Sequence, residues 1–289
     1  LSRNKGRTGG QSNKPENTDA PVQHMNAPSA TEDAPAFSFV VPTEFVDLPS
    51  KGRFYPEGHP LHGQDTIEIR QMTAKEEDIM TSRTLLKKGI ALDRVMSNLI
   101  CDKRIDHQTL VLGDKNAVVI ATRISAYGNI YTTEVGCPAC GHNQKNSFDL
   151  AELALRESAG LDDFNVVEND DCTFTTVLPR SKAEVTFKLL NGYDEQRITN
   201  LTESDRKKKK EKNVTRQLEG MIVAVNGSED LKLIRYLVEN IPSADSRHLR
   251  SVYRMAMPNV DMAQEFECEE CDYQQEMEVP LTAQFFWPE

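Results

Sequence analysis

The sequence predicts an α+β fold built as a split ribbon. Two cysteine-bearing β-hairpins meet across a mostly helical insertion, and a helical part precedes them. Three observations carry that reading. Cys137-Pro138-Ala139-Cys140 sits between the strand-like runs 130–135 and 146–150. Cys268-Glu269-Glu270-Cys271 sits between the similar runs 260–266 and 276–281. Between the two, across 151–258, apolar residues recur mostly at helical rather than alternating spacing.

From the N-terminus, residues 1–36 are rich in Gly, Ser, Asn, Pro, Thr and Ala. Such a segment buries too little apolar surface to offset its ordering entropy, so a disordered tail is expected. Arg3, Lys5, Arg7 and Lys14 make its start basic, which suits either a solvated tail or an arm that docks on a partner. Order is expected from about Phe37. The stretch 45–61 alternates Pro-Ser-Lys-Gly and Pro-Glu-Gly-His-Pro turn chemistry with the pair Phe54-Tyr55, and reads as an extended, turn-punctuated segment. Residues 66–70 alternate as a strand.

Thr73 opens a helix. Thr73-x-x-Glu76 is a capping box, Glu77 and Asp78 place negative charge on the first turn, and Lys87, Lys88 and Gly89 supply the stop. A second helix is expected over 91–101, with Leu92, Val95, Met96, Leu99 and Ile100 on one face, and a third over about 114–127. In the insertion, 151–158 reads as helical and 173–189 as a β-hairpin about Pro179-Arg180-Ser181-Lys182. Helices are expected over 203–225, 229–240 and 244–256. The organisation is therefore a 1–36 tail, a 37–128 extended and helical region, ribbon halves at 129–150 and 259–289, and the 151–258 insertion.

Two C-x-x-C turns facing each other offer four thiolates, the tetrahedral set that structural zinc takes. Cys137, Cys140, Cys268 and Cys271 are accordingly the expected ligands of one zinc per chain. Four sulfurs close the coordination sphere and leave no position for water, so the metal is expected to be structural. His142 is read as an exposed turn residue. Without an apolar leader the six cysteines are expected in a reducing cytoplasm, where paired C-x-x-C favours metal over disulfide. Cys101 and Cys172, beside apolar neighbours, read as buried small hydrophobes.

The formal net charge of −11 gives nucleic acid no overall attraction, and no apolar run approaches the roughly 18 residues that span a bilayer. There is no nucleophile elbow, phosphate loop, dinucleotide fingerprint or zinc-protease motif, and the six histidines show no relay spacing. An enzyme acting on a small-molecule substrate has no residues to stand on. The one concentrated basic patch, 206–212, lacks interleaved aromatics and reads as a solvated helix start or connection, with a phosphate or acidic contact as the alternative. The closing Phe285-Phe286-Trp287 either completes the core of the ribbon or anchors a partner, and Phe54-Tyr55 has the same two readings.

These features together resemble the baseplate hub and hub-assembly proteins of T-even-type contractile-tailed bacteriophages. The resemblance rests on Leu48-Pro49-Ser50-Lys51-Gly52-Arg53-Phe54-Tyr55-Pro56, on Thr73-Ala74-Lys75-Glu76-Glu77-Asp78, on the double C-x-x-C and on the closing Phe-Phe-Trp-Pro, and spans 43–289. The tail 1–36 and the run 206–212 fall outside it. It implies a non-enzymatic role in virion tail assembly in the infected bacterial cytoplasm, as a hub subunit carried into the virion or as a chaperone for the hub. The implied partners are other hub and tail proteins, met through Phe54, Tyr55, Phe285, Phe286 and Trp287. A zinc-ribbon nucleic-acid-binding or transcription accessory protein using 206–212 is the alternative.

Overall fold

The structure is a computed structural model that describes residues 40–87, 89–280 and 285–286. The expected disordered tail and Trp287 lie outside the described residues. Strands β1 (Thr43–Asp47) and β2 (Thr66–Arg70) pair antiparallel, with Phe45 opposite Glu68. Alternation puts Val46, Ile67 and Ile69 inside. The turn-punctuated stretch is therefore the long connection of a two-stranded unit.

The helix expected over 73–89 is two helices, α1 (Ala74–Thr81) and α2 (Arg83–Lys87). Its start is as the sequence indicates: the Glu76 carboxylate accepts from the Thr73 N–H at 3.0 Å and the Thr73 hydroxyl at 2.7 Å. Its interruption has a local cause. Thr81 turns its hydroxyl back onto the Glu77 carbonyl at 2.9 Å, and Ser82 adopts extended backbone. Helix α3 (Ala91–Leu99) buries Val95, Met96 and Leu99, and α4 (Leu112–Tyr127) buries Ala117, Val118, Val119 and Ile120. Gly113, in its first turn, lies so close to the Pro258 carbonyl that a Cβ would stand 1.8 Å from it.

The first cysteine hairpin follows as β3 (Ile130–Gly136) and β4 (Asn143–Asp149). The helix expected over 151–158 does not form. Asp149 caps the Ala151 N–H at 2.9 Å, giving one short 3-10 turn, and the chain continues extended as β5 (Leu155–Arg156). Strand β5 pairs with β10 (Asn259–Val260), so the two ends of the insertion are joined at its neck.

Inside the insertion, β6 (Val167–Glu168), β7 (Thr173–Val177), β8 (Glu184–Lys188) and β9 (Ile222–Val225) form an antiparallel sheet in that order. Helices α5 (Gly192–Lys207), α6 (Asn213–Met221), α7 (Leu231–Asn240) and α8 (Ser243–Ala256) accompany it. The expected 203–225 helix is thus the end of α5, a turn, α6 and a strand. The run Ile222-Val223-Ala224-Val225 is apolar throughout, and a short apolar run does not tell strand from helix. Fully buried Asp245 accepts from the Arg180 and Ser181 N–H groups at 2.7 and 2.8 Å, fixing the β7–β8 turn on α8. Strands β11 (Ala263–Glu267) and β12 (Gln274–Glu278) form the second cysteine hairpin. The described residues from Val41 onward form one compact unit.

Candidate metal centre

The two cysteine turns are built alike. In each, the first cysteine follows directly on the outgoing strand and its N–H closes the loop on a carbonyl five residues ahead: Cys137 to His142 at 2.8 Å, Cys268 to Tyr273 at 2.9 Å. The residue after the second cysteine takes left-handed backbone in both, at Gly141 (φ 76°) and Asp272 (φ 52°). This curl turns both sulfurs of a hairpin to one side.

The hairpins then face each other. Cys137 and Cys271 stand 3.8 Å apart through sulfur, Cys140 and Cys268 3.7 Å, although the latter pair is separated by 128 positions in sequence. All four sulfurs lie within 4.8 Å of one another, and among the described residues no other group of His, Cys, Asp and Glu ligands gathers in this way. Four sulfurs held 2.3 Å from a central ion at tetrahedral angles would be about 3.8 Å apart. A disulfide needs about 2.05 Å, so the spacing is that of ligands and not of a bond. Cys137 and Cys268 form a buried floor, and Cys140 and Cys271 an exposed rim. His142 is exposed and contributes its backbone.

Proton affinities show what this cluster demands. Burial pushes the Cys137 thiol up, but the Cys140 and Ala139 N–H groups and the neighbouring thiols bring it down to about 6. At Cys271 the Tyr273 N–H favours the thiolate, yet the contact with Cys140, burial and the contacts with Cys268 and Cys137 push it up to about 12. Adjacent thiolates at this range repel one another. A divalent cation among them removes the conflict. Exposed Glu265, Glu267, Glu269, Glu270 and Glu276 add negative potential around the second hairpin, which carries no Lys or Arg over 259–280. The donor set therefore fits a four-sulfur zinc site, with the metal reached from the Cys140–Cys271 side.

Gln144 was not evident from the sequence. It is buried, and its amide bridges the hairpins: Nε2 donates to the Glu267 carbonyl at 2.7 Å, while Oε1 accepts from the Glu269 N–H at 2.9 Å. A lone glutamine in an alternating strand gives no signal of such a role.

Of the aromatic residues expected at a partner surface, four pack inside the chain and Trp287 lies outside the described residues. Phe54 and Tyr55 are buried, and so are Phe285 and Phe286. Phe285 stands edge-on to Tyr131 at 5.2 Å, beneath the Arg123 guanidinium at 5.9 Å, because a ring this apolar gains more from the core than from solvent. Tyr55 stacks on His59 at 4.6 Å, and its hydroxyl donates to the fully buried Asp114 at 2.6 Å. The Ser50 N–H and hydroxyl reach the same carboxylate at 2.9 and 2.5 Å. Gly52 is required by this fold: at φ 69°, its Cβ would lie 2.3 Å from the Gln64 nitrogen. The rim of the segment is polar, and Arg53 reaches both Glu168 oxygens at 3.0 and 3.1 Å.

The basic run starts in the last turn of α5, at Arg206 and Lys207, and continues as the largely exposed connection to α6. Its base is fixed by Asp205, which accepts from Arg216 at 2.8 Å, while Arg216 also reaches Glu219 at 2.6 Å. Cys101 and Cys172 are half-buried, not fully buried, because each sits at the edge of a strand pairing or turn. Among the described residues no helix is long and apolar enough to cross a membrane.

A family model described as T4 bacteriophage base plate protein matches residues 41–287. No curated protein and no solved structure matches the chain.

Proposed function

The chain belongs to the T4 bacteriophage base plate protein family, and on that premise we propose that it acts by protein–protein recognition in the assembly of a phage tail, either as a baseplate hub subunit or as a chaperone of hub assembly. The observation that carries this reading is the extent of the match, which takes in both cysteine hairpins, the insertion and the Ser50–Tyr55 segment together. No catalytic role is assigned to any residue. The partners on this reading are other hub and tail proteins, and the site of action is the infected cell during assembly and, for a subunit, the virion.

One structural zinc per chain belongs to the proposal, held by Cys137, Cys140, Cys268 and Cys271. The metal supplies a closed four-thiolate node and no reactive position. This chain's own residues do the rest: they join distant hairpins so that the insertion between them is carried as a rigid body. Because the Phe54, Tyr55, Phe285 and Phe286 rings are inside, the partner on this reading meets the polar rim of 51–58.

Mass spectrometry of purified mature particles beside an infected-cell lysate separates the two roles. Presence in particles identifies a subunit, and presence only in lysate complexes with tail proteins identifies a chaperone. A chain that associates with no tail protein in either sample contradicts the proposal.

A further inference from the structure

The two cysteine hairpins are not held together by sulfur alone. Strands β4 and β11 lie in separate two-stranded sheets, so no backbone ladder joins them. Two glutamine side chains take its place. At one end Gln144, on β4, donates to the Glu267 carbonyl at the end of β11 and accepts the Glu269 N–H of the second cysteine turn. At the other end Gln264, on β11, donates to the Asp149 carbonyl at the end of β4 at 2.5 Å. The arrangement is reciprocal: one glutamine ties the hairpins beside the cysteine turns and the other ties them toward their open ends. Tyr131 adds a third tie, its hydroxyl donating to the Pro280 carbonyl at 3.1 Å just beyond β12.

The bond from the Glu269 N–H matters most, because that residue lies between Cys268 and Cys271 and its backbone sets where their sulfurs point. Gln144 is buried and uses both ends of its amide, so each of its bonds forms away from competing water. The matching position on the second hairpin, Gln275, is exposed and makes no bond to the first. The grip on the cysteine turns is thus one-sided and rests on Gln144.

We propose that Gln144 and Gln264 are positioning residues that dock the hairpins before metal arrives, so that zinc enters a preassembled four-sulfur cup instead of creating it. This rests on the zinc reading above. Partners that hold ligands in place typically change metal affinity by about 10- to 100-fold.

The test uses the full-length chain stripped of metal under reducing conditions, with cobalt(II) as the probe, for the wild type and for Gln144→Met, Gln264→Met and Gln275→Met. Circular dichroism of the metal-loaded forms verifies folding, and Gln144→Asn, which keeps the amide on a shorter arm, serves if the methionine variant does not fold. Hydrogen exchange of 143–149 and 263–267 is followed without metal, and cobalt binding is followed by its thiolate charge-transfer absorption. The expected result is protection of both strands in the metal-free wild type. Gln144→Met and Gln264→Met lose that protection and bind cobalt at least about tenfold more weakly, whereas Gln275→Met matches the wild type. Wild-type strands that exchange freely without metal, or glutamine variants that load like the wild type, overturn the proposal. If the wild type binds no cobalt through sulfur, the zinc reading fails, and exchange protection still decides the role of the glutamines on its own.

Discussion

Tyr55 donates its phenolic proton to Asp114 across 2.6 Å, inside the protein, joining the turn-rich segment after β1 to the first turn of α4. The same carboxylate accepts both the N–H and the hydroxyl of Ser50, so one buried group fixes two residues of the Leu48–Pro56 motif. A motif that reads on paper as an exposed loop is anchored from beneath.

Loss of the tyrosine hydroxyl removes one of the two donors to Asp114 Oδ2, which keeps the Ser50 hydroxyl, and takes away the acceptor of the buried Val111 N–H. Tyr55→Phe is expected to cost about 1–3 kcal/mol in chemical denaturation, with the midpoint lowered and the slope unchanged. A stability within experimental error of the wild type would show that the bond is replaced by water.

Asp114 also sets a pH dependence. Burial raises its pKa, and the bonds from Ser50 and Tyr55 only partly reverse this. A carboxyl raised on folding stabilises the native state most below its unfolded value of about 3.9, and loses that contribution as pH rises through its folded value. The stability of Asp114→Asn relative to wild type should therefore improve as pH climbs from about 4 to 7. A gap that stays constant across that range contradicts the assignment.

Glu76 has the opposite sign. Burial works to raise its pKa, but hydrogen bonds from Arg70 and Thr73 outweigh it and bring the carboxyl from 4.5 to about 2. Its contribution, on the order of 3 kcal/mol, is present above its unfolded value and is lost as pH falls from about 4.5 toward 2. Thermal melts of Glu76→Gln and wild type should converge in that window, and parallel curves would refute the ion pair with Arg70 as its source.

The basic connection should be dispensable for folding. Changing Lys207, Lys208, Lys209 and Lys210 to glutamine leaves the Asp205–Arg216 anchor intact and is expected to shift the melting temperature by less than about 2 °C. A salt-dependent affinity for DNA or RNA that the change removes would instead favour the nucleic-acid alternative.

What the sequence made legible follows from how local each signal is. The capping box at Thr73, the α3 face and both cysteine hairpins are set by residues within one or two turns, and they are visible in spacing. Strand β9 was not, because its four apolar residues carry no period of their own and its place in the sheet is set by β8. Helix α5 starts where Asn191 and Asp194 form a capping box, but its exposed surface leaves a weak apolar stripe to read. The four clustered cysteines were legible as repeated pairs, whereas Gln144 and Asp114 act across long sequence separations and show no pattern. Burial of Phe54, Tyr55, Phe285 and Phe286 likewise depends on partners far along the chain, among them Phe174, Asp114 and Tyr131.

The central claim is that four sulfurs from two distant hairpins hold one structural zinc. Metal analysis of freshly purified protein, combined with X-ray absorption at the zinc edge, tests it directly. The expected result is about one zinc per chain, coordinated by four sulfurs at about 2.3 Å, with the sulfur shell lost in Cys268→Ser. Zinc far below one per chain, or a shell of nitrogen and oxygen in place of sulfur, would contradict it.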